Sequence, residues 1–142
     1  MGNPKSLLSI TGALEAATGL LLLAVPSVLV ELLLGEALGS AVGVTVARVT
    51  GAAVLALGVA CWLARGDAAS RAAKGLVAAM LLYNLAVVAL LVIAWTSQGL
   101  FGIGLWPIVL VHAAMAIWCV RACRREPRHS ELLNHDDLDR SI

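Results

Sequence analysis

Four stretches of this chain, roughly Leu7–Val25, Gly43–Ala64, Gly75–Trp95 and Gly104–Val120, each run for about twenty residues with almost no charge. Glycine, proline or charged residues bound every one of them. Lipid offers no partner for backbone N–H and C=O groups, so a segment that crosses it must satisfy them internally. The stretches lack the alternation of a barrel strand, which leaves the α-helix. The expected fold is therefore all-α: an integral membrane bundle of four transmembrane helices. Composition agrees, with 61% of the 142 residues hydrophobic and 13% charged, against about 45–50% and about 25% in soluble domains.

Residues 1–125 read as a single four-helix transmembrane domain. From Glu126 the chain turns polar and acidic (Glu131, Asp136, Asp137, Asp139), the composition of a loosely ordered cytoplasmic tail. The first 27 residues imitate a signal peptide, but Glu15 interrupts the apolar run and no A-x-A site follows, so they are read as a retained span. "MGNPKS" fits the short myristoylation pattern, which carries no meaning in a bacterial cell.

Basic residues set the expected orientation. Lys5 precedes the first span; Arg65, Arg71 and Lys74 separate the second and third; Arg121, Arg124, Arg125 and Arg128 follow the fourth. The other two connections carry Glu31, Glu36 and Gln98. Both termini and the middle loop are therefore expected in the cytoplasm. Trp62 and Trp118 fall at the cytoplasmic ends of their spans, and Trp95 and Trp106 at the outer ends, as the two interfacial belts require. The long first connection, 26–43, starts at Pro26 and is broken by Gly35 and Gly39. A short interfacial helix over Ser27–Leu34 is expected there, with a re-entrant segment as the alternative.

An ionisable group at bilayer depth costs at least about 2.5–3.5 kcal/mol, so each should face the bundle interior or a cavity. The candidates for ligand or proton binding are Glu15, His112, Asn84, Tyr83 and Arg48, with Thr18 and Thr50 as minor members. Counted at about 1.5 Å per residue from the cytoplasmic helix ends, Glu15, Asn84 and His112 all lie about 12–13 Å deep. Glu15 and His112 form a natural proton-sharing pair, and Asn84 and Tyr83 suit either orientation of a ligand or hydrogen bonding between helices. Arg48 lies about 24 Å up, close to the outer face. Two roles are open to it: an anchor that snorkels outward toward Glu31 or Glu36, or a guanidinium that faces a ligand.

Cys119 and Cys123 share a helix face with Cys61 near by, yet three thiols without C-x-x-C make no metal signature. No catalytic residue, metal or cofactor is assigned, because nucleophile–base pairs and cofactor fingerprints are both lacking. A net charge of +1 without basic–aromatic interleaving excludes nucleic acid as a partner. Gly12, Gly19, Ala47, Gly51 and Gly58, and the run Gly35, Gly39, Gly43, suit close helix approach and a homo-oligomer or a membrane protein partner.

A first span ending in Gly19 and Pro26, followed by the Arg-led "ARVTGAAVLALGVACWLAR" (47–65), resembles the DoxX-like group of small bacterial four-helix membrane proteins. The likeness covers most of residues 10–120 and lies in helix count, length and small-residue placement. It implies a bacterial inner-membrane location and a quinone- or thiol-linked redox role, although cysteines at the cytoplasmic ends without C-x-x-C put disulfide exchange in doubt. Three functions stand in order: a polar cluster that binds a small ligand or conducts protons or ions in an oligomer; an accessory or scaffold subunit of a larger membrane complex; and a lipid- or quinone-linked membrane enzyme.

Overall fold

A computed structural model describes residues 3–124. The acidic tail from Glu126, together with Gly2, Arg125, Arg128 and His129, lies outside the described residues. Five helices follow one another: α1 (Pro4–Ala24), α2 (Pro26–Leu34), α3 (Ala41–Ala64), α4 (Arg71–Gln98) and α5 (Leu105–Arg124), with a 3-10 turn at Arg65–Asp67 between α3 and α4. Among the described residues there is no strand. Helices α1, α3, α4 and α5 are each long and apolar enough to cross a membrane.

The helices overrun the apolar stretches, because a helix stops where its caps are rather than where hydropathy falls. The side chains of Asn3, Ser40 and Ser70 accept from the backbone N–H groups of Lys5, Gly43 and Ala73, closing the starts of α1, α3 and α4. Pro4 and Pro26 open α1 and α2 at positions where a missing N–H is harmless. Helix α4 therefore has 28 residues, begins at Arg71 rather than Gly75, and is about 42 Å long. The first connection holds a short helix, α2, directly joined to α1 through Val25.

The starts of α1 and α4 and the ends of α3 and α5 gather Lys5, Arg65, Arg71, Lys74, Arg121 and Arg124, and this is called the basic end. At the other end, α2 is fastened to the loop that leads into α5. Its orphan carbonyls at Leu33 and Leu32 accept from the N–H groups of Gly102 (3.2 Å) and Gly104 (2.8 Å). Gly35 ends α2 in the left-handed conformation at φ 80°, so Gly35 closes a helix instead of lining a helix contact. Gly39 has open space around it, and Gly43, in the first turn of α3, faces only Leu38 and Ser40, so the run Gly35, Gly39, Gly43 does not form the expected seam.

The real seam joins α1 to α3. A Cβ placed on Gly58 would lie 2.5 Å from the Ala16 nitrogen and 2.9 Å from the Gly12 carbonyl oxygen; one on Gly19 would lie 2.5 Å from the Leu55 nitrogen. Gly12 faces Gly58, and Gly19 faces Gly51, each pair one heptad apart on antiparallel helices. Backbone meets backbone along this line, a contact only glycine permits. Helices α4 and α5 form the second long pair. The pairs meet at the basic end, where Leu7, Leu8, Cys61, Met80, Met115 and Cys119 build a core from all four long helices. A smaller core of Leu91, Leu105 and Val109 lies at the α2 end.

A polar relay between the two cores

Glu15, Tyr83 and His112 meet in the interval between these cores. Glu15 projects from the middle of α1 and is 6% exposed. The Tyr83 side chain, from α4, brings its hydroxyl close to this carboxyl group. The His112 ring, from α5, lies beside the Tyr83 ring with centroids 6.0 Å apart and planes tilted by 55°. Three helices thus deliver three titratable groups in series, with Tyr83 between the carboxyl and the imidazole.

The imidazole has a defined orientation. His112 Nδ1 lies 2.9 Å from the Ile108 carbonyl oxygen of its own helix. A carbonyl can only accept, so Nδ1 carries the hydrogen in this contact and Nε2 is left to accept or take up a proton. Asn84 is fully buried, and its Nδ2 donates to the Met80 carbonyl at 2.7 Å. Asn84 therefore shares the level of the relay without linking its members. Tyr83 and Asn84 are neighbours on α4, about 100° apart around the axis, so only one of them can stand between Glu15 and His112.

Arg48 stands apart on the second turn of α3, exposed and not among the residues around Glu15. Thr50 is also exposed and donates to the Val46 carbonyl at 2.9 Å. Thr18 is half-buried on α1. Cys61 and Cys119 are buried together toward the basic end, with Cys61 near Glu15, whereas Cys123 is exposed. Among the described residues no three His, Cys, Asp or Glu side chains gather around a metal-sized site.

Thr11 is the residue that a depth count passes over. It lies one turn from Glu15 on the same face of α1, is 2% exposed, and its hydroxyl has no hydrogen-bond partner. The i,i+4 spacing to Glu15 is the signal the sequence offers for it.

Two contacts of tryptophan rings lie at the helix ends. Trp95 and Trp106 meet edge to face, 5.1 Å apart, where α4 ends and α5 begins. The Arg65 guanidinium lies over Trp62, 3.4 Å from the ring centroid, at the basic end. Against models of protein families, curated proteins and solved structures, the chain has no match.

Proposed function

We propose that this chain is a multi-pass protein of a bacterial inner membrane, basic end in the cytoplasm, whose interior passes protons through Glu15, Tyr83 and His112. The closeness of Tyr83 to Glu15, with the His112 ring beside the phenol, is the observation that carries the reading. The membrane setting is supported by the outward faces of the long helices. Val42, Val46, Leu63, Leu82, Leu90 and Leu110, among others, are more than half exposed. That is far more apolar surface than a soluble monomer presents to water. In this setting α2 lies along the outer interface and Trp95 and Trp106 sit at the outer headgroups, while Trp62 and Arg65 mark the inner ones.

A carboxylate at this depth must be paired or protonated, and its exchange with His112 needs a group that both donates and accepts. The Tyr83 hydroxyl is such a group. A proton arriving on Glu15 passes by way of the phenol, or of a water beside it, to His112 Nε2. From there it leaves toward the opposite side, and Glu15 is free to load again. Arg48, near the outer end of α3, suits an outer contact for anions or headgroups.

Proton flux into liposomes loaded with a pH-sensitive dye tests this reading. Glu15→Gln and His112→Ala are each expected to reduce flux by about ten-fold or more, the size of effect typical of removing a positioned proton-transfer group. Tyr83→Phe, which retains the ring contact and loses the hydroxyl, should slow it as well. Unchanged flux in the first two variants, with the helices intact by circular dichroism, would leave the scaffold role as the better account.

A further inference from the structure

Threonine in an apolar helix ordinarily gives its hydroxyl back to the carbonyl four residues earlier. Thr45, Thr50 and Thr96 do this, at 2.9 Å each, although all three are exposed. Thr11 does not, and its hydroxyl is the one buried side-chain polar atom among the described residues that lacks a partner. Unpaired hydroxyls in a protein interior are costly, and water is their usual partner where a second polar group stands close by. Glu15, one turn along the same face, is that second group.

The direction from Glu15 to Thr11 points to the basic end, where a cavity of about 100 Å³ opens between α1, α4, α5 and the turn that follows α3. Pro4, Ala68, Lys74, Val77, Ala122 and Cys123 line it. It is large enough to admit water. Leu7, Met80 and Cys119, each almost fully buried and part of one apolar core, lie about one turn along their helices from the cavity-lining Pro4, Val77 and Ala122, which puts an apolar layer at the level between cavity and hydroxyl. The layer is thin, since seven residues of α1 from Pro4 to Thr11 rise by about 10 Å. Constrictions of this kind pass water and protons only when they wet transiently.

We propose that Thr11 and Glu15 hold one water between them, and that this water ends a cytoplasmic access route gated by Leu7 and Met80. The inference rests on the proton-relay reading and supplies its entrance. Thr11 orients the water, which hands one proton to the carboxylate of Glu15 as it receives another from water on the cytoplasmic side, so that it is neutral before and after; the cavity at the basic end opens that side of the route.

Infrared spectroscopy of the full chain in liposomes, transferred from H2O to D2O on the acid side of neutrality, tests the route. The signal is the carboxyl band that Glu15→Gln removes. Thr11→Val retains the shape and loses the hydroxyl, and is expected to slow exchange of that band about ten-fold, the effect of losing a single well-placed hydrogen bond. Thr11→Ser should restore the rate, and Leu7→Ser, which wets the apolar layer, should raise it. Exchange at the wild-type rate in Thr11→Val, or no acceleration in Leu7→Ser, would overturn the route. If exchange follows the expected order while flux is insensitive to Glu15 and His112, the relay fails and the route stands. If flux needs those two residues while exchange ignores Thr11, the relay stands and the route fails.

Discussion

Replacing Gly58 by alanine adds one methyl group at the point where α3 lies closest to α1. The new Cβ would stand 2.5 Å from the Ala16 nitrogen, against an ordinary contact of at least 3.4 Å, which leaves it about 0.9 Å too close. Its neighbours are backbone atoms, so no side chain can rotate away and the helices themselves must separate. Two terms then oppose each other. Alanine gains about 1 kcal/mol of helix propensity over glycine, while overpacking costs about 1–3 kcal/mol, here toward the upper end. The net expectation is a destabilisation of about 1–2 kcal/mol. Gly75 provides the control of opposite sign: it lies in α4, and a methyl group there would meet nothing within 4 Å. Gly75→Ala should therefore be neutral or stabilising by up to about 1 kcal/mol. Unfolding in mixed micelles by titration with a denaturing detergent, followed by tryptophan fluorescence, measures both. Equal shifts of the same sign for Gly58→Ala and Gly75→Ala would refute the backbone-contact account of the seam.

Two further outcomes follow from the end opposite the basic one. Gly102→Ala would drive its Cβ against the Leu32 carbonyl, so it should release the hydrogen bonds that close α2; faster amide exchange at Gly102 and Gly104, with α4 unaffected, is the expected sign. A double-mutant cycle on Trp95 and Trp106 should give a coupling of about 0.5–1.5 kcal/mol, and a coupling near zero would mean that each ring is held by its surroundings alone.

The number of long helices is legible in the sequence because hydropathy reports length, and lengths near twenty residues admit one kind of element. Rotation about each axis is not legible. A helix that is apolar on nearly every side has no moment to say which face turns inward, as α4 shows: Tyr83 and Asn84 are adjacent, and depth alone ranks them equally. Depth puts Glu15 and His112 at one level, but that Tyr83 rather than Asn84 stands beside the His112 ring is visible only in three dimensions. Thr11 escapes a sequence reading because threonine ordinarily satisfies itself on its own helix, and its failure to do so is visible only in three dimensions. The closure of α2 depends on hydrogen bonds between segments far apart in the chain, which no local pattern encodes.

The three groups of the proposed relay are divided between two helix pairs that differ in how they are held together. Glu15 belongs to the α1–α3 pair, locked by direct backbone contact; Tyr83 and His112 belong to the α4–α5 pair and travel together. A slide of a few ångströms between the pairs would part Glu15 from Tyr83, and it would have to strain the bonds from Gly102 and Gly104 to α2 and the core shared at the basic end. The joint that the proposed proton path must cross is thus pinned on both sides, like the middle of a span fixed at its two abutments.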